Sequence, residues 1–198
     1  MRIYKLAIAV SFCFIAYQSL AQDGQNGDGE TGKYHKFSVY AGVGPSYFFN
    51  NLVILKDEVN SFQYAFSARF MWEPQHSFLS LGFETGYYRL YTVNSSKPRA
   101  DISNSSVPLQ FVVSMKFSKK LYANWSMGQS ITFNNVSNTD SSYNFNANTW
   151  SLSDFSATVG YRFIQKPRIS YAAEIKGYYS SGYQNATIAL LFIVGFRL

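Results

Sequence analysis

From Phe37 to the end of the chain, apolar and polar residues alternate with a period of two rather than 3.6, the spacing of strands with two unlike faces. Between Phe62 and Trp72 the even positions (Phe62, Tyr64, Phe66, Ala68, Phe70, Trp72) are all apolar or aromatic. The odd positions between them include Gln63, Ser67 and Arg69. Val107–Phe117 repeats the pattern, with Val107, Leu109, Phe111, Val113, Met115 and Phe117 opposed to Pro108, Gln110, Val112, Ser114 and Lys116. Six further segments follow the same rule less regularly: Phe37–Tyr47, Phe78–Tyr91, Leu121–Phe133, a sixth ending at Phe163, Ile169–Tyr179 and Ala186–Leu198. The start of the sixth, around Trp150 and Leu152, is out of phase with Phe155 onward, which predicts a bulge. The last is apolar on both faces in its middle.

The connections between segments alternate in expected length. Long polar stretches (48–61, 92–105, 134–149 and the more modest 180–185) alternate with short turns at 73–76, 118–120 and 164–168. Long and short connections therefore fall at opposite ends of one sheet, as in transmembrane barrels. Tilted segments of this length span the hydrocarbon core, and closure satisfies every backbone donor and acceptor, as lipid requires. The expected fold is an all-β, eight-stranded antiparallel transmembrane β-barrel. A soluble barrel or sandwich alternates equally, with its apolar face turned inward. The membrane reading rests on loop asymmetry, on charged residues at only 14% and aromatics at 19%, and on the Gly, Ser, Tyr and charged character of the second face. Trp72, Tyr87, Trp150, Tyr161 and Tyr179, near segment ends, suit interfacial girdles.

The first 21 residues have a different design. Arg2 and Lys5 precede an apolar run from Leu6 to Tyr17, and Ser19-Leu20-Ala21 offers small residues before Gln22. This is the layout of a cleaved signal peptide, and the run is too short for a spanning helix. Cys13, the only cysteine, would leave with it, and Phe12 before it is unsuited to a lipid-attachment site. The expected organisation is a signal peptide over 1–21, a disordered tail over 22–35 that includes the Gly- and acid-rich Asp23–Gly32, and a barrel over 36–198. The formal net charge of +6 comes from scattered cations, with only Lys119 and Lys120 adjacent. No nucleic-acid footprint is expected from such a distribution.

With these features the chain resembles the small outer-membrane β-barrels of Gram-negative bacteria, of OmpA-barrel or OmpX type, often labelled porin-like. The residues that carry the likeness are Ser19-Leu20-Ala21-Gln22, Ser38–Gly44, Val107–Phe111 and the closing Val194-Gly195-Phe196-Arg197-Leu198. The resemblance implies residence in the cell outer membrane, contact with its lipid and lipopolysaccharide, and insertion by the barrel assembly machinery. It also admits membership of a larger outer-membrane protein complex. The family's terminal aromatic is replaced here by Leu198, with Phe196 two places earlier. No peptidoglycan-binding domain is expected after the last strand.

Catalytic chemistry has little to work with. His35 and His76 both fall at the short-turn end, away from the loops where a His-based triad of a barrel enzyme would sit. No catalytic residue, metal ligand or cofactor is expected. The chemistry-bearing positions lie instead on the second face: Glu84 and Glu174, with Arg69, Lys116, Arg162, Lys176 and Arg197 around them. In a barrel too narrow for an open channel, such charges must be paired or wet, so an ionic network filling the lumen is expected. The cationic excess leaves a small anion path as the alternative. In the third long connection, Tyr143, Phe145 and Trp150 are candidate partner contacts, since aromatics dominate binding hot spots.

Overall fold

The structure, a computed structural model, describes residues 35–49, 58–74, 77–96, 99–138, 144–181 and 185–198. The expected signal peptide, the expected tail up to Tyr34, His76 and Tyr143 lie outside the described residues. The strands are β1 (His35–Phe49), β2 (Val59–Asn60), β3 (Phe62–Pro74), β4 (Leu79–Ser96), β5 (Arg99–Lys116), β6 (Leu121–Asn138), β7 (Asn144–Gln165), β8 (Ile169–Ser180) and β9 (Asn185–Arg197). All pair antiparallel, in the order β4-β3-β1-β9-β8-β7-β6-β5, and a β4–β5 pairing closes the circle. The two-residue β2 is a rung on β4, with Val59 opposite Val93 and Asn60 opposite Thr92. The fold is thus a closed, eight-stranded, all-β barrel.

Which face turns outward separates the membrane barrel from its soluble alternative. Phe37, Val39, Val43, Phe62, Phe66, Phe70, Leu109, Trp125, Val159 and Phe192 are all exposed on the outer surface. The buried positions between them are Ser38, Ser67, Arg69, Glu84, Gln110, Ser126, Thr158 and Glu174. In water this outer belt would be an apolar patch far beyond what soluble proteins carry, whereas in lipid it is the solvated face. The double apolarity of β9 follows from the same division. Ile188, Leu190 and Phe192 face out, while Ala189, Leu191 and Ile193 are buried inside.

The expected bulge lies where β6 and β7 pair. Gly128 opposes Asp154 and Ser130 opposes Ser151, so Leu152 and Ser153 together face Gln129. Both of these residues are exposed while their neighbours Ser151 and Asp154 are buried, and the phase changes there. A β-bulge has this effect because one extra residue is accommodated without breaking the ladder.

Two of the long connections differ from expectation. Thr92–Ser105 is not a loop: β4 runs to Ser96 and β5 starts at Arg99, with Ser96 opposite Arg99. Likewise β6 and β7 pair up to Ser137 opposite Asn144. The hydrophobic alternation stops at this height because both faces meet water, but backbone pairing does not depend on it. Consequently β4–β7 rise as a sheet beyond the point where β7 and β8 part, at Asp154 opposite Ser180. This is the hairpin end. The opposite, turn end carries the connections 117–120 and 166–168, the start of β1 and the end of β9.

Candidate functional site

Alternate residues of each strand point into the barrel, and within it they meet across its width. Arg69 on β3 is the centre. Its Nη2 donates to both carboxylate oxygens of Glu174 on β8, at 2.7 and 3.0 Å, and its Nε lies 3.5 Å from Glu84 Oε2 on the neighbouring β4. With its side-chain amide turned to match its neighbours, Asn124 on β6 accepts from Arg69 Nη1 and donates to Ser114 Oγ at 2.7 Å. Glu84 in turn accepts from Ser67 Oγ at 2.7 Å and from Lys176 Nζ on β8. Tyr122 Oη donates to Glu174 at 2.6 Å. Arg69, Glu84, Glu174 and Lys176 are each no more than 4% exposed. A charge-assisted hydrogen bond of this kind is stronger than a neutral one, and burial makes losing one partner costly.

Glycine makes room for the tyrosines that complete this layer. A Cβ on Gly160 would fall against Tyr122 Cζ, directly in the ring that holds Glu174. A Cβ on Gly195 would lie 2.5 Å from Tyr40 Cε1. These are close approaches that only glycine permits.

Toward the hairpin end a second layer is built on aromatics and hydroxyls. Lys176 Nζ sits 5.7 Å over the ring of Tyr88, which stacks on Tyr178 with centroids 4.8 Å apart. Tyr178 Oη donates to Asp154 Oδ2 at 2.6 Å and shares a 2.9 Å hydrogen bond with Ser106 Oγ. Ser126, Ser156 and Gln110 form a short chain beside it, with Ser156 Oγ donating to Gln110 Oε1 at 2.8 Å.

Toward the turn end lies a third layer. Lys116 Nζ pairs with Glu73 Oε2 at 2.7 Å, and Tyr40 Oη donates to Glu73 Oε1. Arg162 Nη2 donates to Tyr40 Oη at 3.3 Å, and its guanidinium stands 4.7 Å over the ring of Tyr122. No carboxylate among the described residues forms an ion pair with Arg162. Arg197, half-buried, lies at the mouth beside Gln165, whose side-chain oxygen accepts from Arg197 Nη2 at 3.2 Å.

The residues expected to share the lumen therefore divide. Arg69, Glu84, Glu174 and Lys176 meet in one layer, Lys116 and Arg162 belong to another, and Arg197 stands at the opening. Two inward acids are additional to Glu84 and Glu174: Glu73, 5% exposed, and Asp154, 0% exposed. The expected cationic excess on the inner face shrinks accordingly. Glu73 reads from the sequence as part of the turn around Pro74, although it continues the odd-numbered inner set past Met71. Asp154 sits at the bulge, where the phase restarts. Parity with Ser156 and Thr158 is the signal that places it inside.

Phe145 and Trp150, each 64% exposed, lie on opposite faces of β7: Trp150 is on the outer side, near Leu152 at 73%, while Phe145 shares the inward parity of Ser151 beyond the filled part of the barrel. Between Asn144 and Trp150 the edge of β7 turned away from β6 pairs with no strand among the described residues. Phe145 lies opposite Val136 and Trp150 opposite Ile131 on β6.

A closed antiparallel barrel with an apolar exterior and a polar, interlocked interior is the architecture of small outer-membrane β-barrels. No protein-family model matches the chain, and no curated protein matches its sequence. Solved structures do match. A major outer membrane protein from Thermus thermophilus superposes with a TM-score of 0.58 at 13% identity, covering 84% of this chain and 100% of that one. Ail, the attachment invasion locus protein of Yersinia pestis, solved in complex with the heparin analogue sucrose octasulfate, gives a TM-score of 0.55 at 10% identity, with 84% and 100% covered. At such identities the likeness establishes the fold, that of the small eight-stranded outer-membrane barrels.

Proposed function

We propose that this protein is a non-enzymatic barrel of the bacterial outer membrane, exported by a cleaved signal peptide, with a structural role or a place as a subunit of a larger envelope complex. The observation that carries the reading is the cross-lumen contact of Arg69 with Glu174, Asn124 and Glu84, which joins β3, β8, β6 and β4 at one level. A barrel tied together in this way is filled by its own side chains and offers no room for a solute path at that height. With Glu73 and Asp154 added to the inner acids, the charge argument for an anion-selective pore also weakens.

What the barrel offers to others lies at its ends. At the hairpin end, β7 carries exposed aromatics on its two faces, Trp150 on the outer and Phe145 on the inner, along an edge that pairs with no strand over 144–150 among the described residues, a surface suited to a protein partner. In the outer membrane the short turns of such barrels face the periplasm and the hairpins face outward. The deciding experiment is mild-detergent purification of the tagged protein from its native outer membrane, with mass spectrometry of what remains bound. Stoichiometric companions that are lost on Phe145→Ser/Trp150→Ser support the complex. A barrel that copurifies with nothing and conducts ions reproducibly in planar bilayers overturns it in favour of the narrow porin-like reading.

A further inference from the structure

The cations that are dispersed along the sequence converge at the turn end. A cavity of about 580 Å³ opens there, lined by Lys116, Lys119, Arg162, Gln165, Lys166 and Arg197. They come from three separate places in the chain: the β5–β6 turn and its approach, the β7–β8 turn and its approach, and the end of β9. Only Lys116 among these cations has a carboxylate partner within ion-pair distance among the described residues. The neighbouring acid among the described residues is Glu73, already held by Lys116 and Tyr40.

The inner wall of this cavity holds a less ordinary feature. Arg162 is 6% exposed, its Nε has no hydrogen-bond partner among the described residues, and the one side-chain hydrogen bond it makes among them is the 3.3 Å contact to Tyr40 Oη. A buried guanidinium with no carboxylate in direct contact is costly; its nearest acid, Glu73, reaches it only through Tyr40 Oη, and Tyr40 and Tyr122 otherwise offer it their ring faces. Its fork of donors matches one ligand chemistry in particular, the paired oxygens of a phosphate or carboxylate.

We infer that the turn-end mouth is a binding site for a small multivalent anion bearing phosphate or carboxylate groups, held by Arg162 at its inner wall and by Lys119, Lys166 and Arg197 at its rim. The size lies within the range of small-ligand pockets. A concave wall of one charge sign concentrates anions, which favours multivalent over monovalent ones. Lipid headgroups fit less well, because Lys116, Arg162 and Arg197 occupy inward-facing positions of their strands rather than the lipid-facing ones. The site needs the barrel alone and stands whether or not the protein has companions.

The test is isothermal titration of the purified full mature protein in a zwitterionic detergent, with tripolyphosphate as probe. The expected result is saturable one-to-one binding that weakens steeply with added salt. Arg162→Gln should weaken it tenfold or more, and Lys166→Gln combined with Arg197→Gln at least fivefold. Arg89→Gln, a cation on the far side of the barrel, should leave it unchanged. If Arg162→Gln does not fold, as read from heat-modifiable mobility on a gel, the Lys166/Arg197 variant decides. Non-saturating uptake, or equal affinity in that variant and in Arg89→Gln, overturns the site. Tenfold preference for a hexaglutamate peptide overturns it in favour of an acidic protein segment. Binding abolished by phosphatidylglycerol nanodiscs, but not by phosphatidylcholine nanodiscs, overturns it in favour of lipid headgroups.

Discussion

Arg69 joins more strands of the barrel than any other described charge, and its partners are unequal. Glu174 takes two short hydrogen bonds from it, whereas Glu84 lies at 3.5 Å and is held chiefly by Lys176 and Ser67. Removing one member of a buried pair strands the other without solvent. Glu174→Gln is therefore expected to destabilise the barrel by about 3 kcal/mol, a cost set mostly by Arg69 losing its closest carboxylate and keeping only the longer contact to Glu84. Urea unfolding in lipid vesicles, followed by tryptophan fluorescence, measures it. The double change Arg69→Met/Glu174→Leu should recover most of that loss, because an apolar pair of similar volume leaves no charge behind. Gly160 belongs to the same neighbourhood. Gly160→Val should displace Tyr122 from Glu174 and cost about 1–3 kcal/mol by overpacking, on the same assay.

Along single strands, the period of two makes strong claims about which changes are tolerated. Deleting Ser153 removes one of the two residues facing Gln129 and leaves Ser151 and Asp154 inward with Leu152 outward. That variant should fold and retain its heat-modifiable gel mobility. Deleting Thr158, in the regular part of β7, inverts every side chain on one flank of the deletion and should abolish folding. The outer face is equally readable. Val43 is 57% exposed near the middle of β1, between Phe66 and Phe192. Val43→Arg should cost about 2–4 kcal/mol if that level is the bilayer midplane. Ser137→Arg on the emergent hairpin should change stability by less than about 0.5 kcal/mol.

For the barrel as a unit, Arg69, Glu84 and Glu174 meet across the lumen from three strands. Ions are expected to cross it poorly in planar bilayers. Arg69→Ala, which removes the link between β3, β6 and β8, should raise conductance at least severalfold where Arg89→Ala does not. Equal, near-zero conductance in both variants would mean that the remaining side chains alone fill the lumen. The asymmetry of the two ends has a different origin. At the hairpin end the sheet continues because its backbone groups pair in water as well as in lipid. At the turn end the connections are short, and the strand termini bring cations from distant parts of the chain around one opening.

Much of this is legible in the sequence because side-chain direction in a strand depends on parity alone. The inner placement of Ser38, Arg69, Lys116 and Glu174, the outer placement of Phe62, Leu109 and Phe196, and the bulge before Asp154 all follow from local chemistry. Parity says nothing of height or of distance across the barrel. That Arg69 reaches Glu174, 105 positions away, and that Arg162 reaches Tyr40, 122 positions away, depends on the register of every ladder between them and on closure. The length of β4–β7 is hidden for another reason: hydrophobic alternation reports the solvent on each face, and it vanishes where water bathes both while hydrogen bonding continues. The basic mouth is the least visible of all. Its residues are neighbours only because three chain segments end at the same rim, a consequence of antiparallel closure that no local pattern encodes.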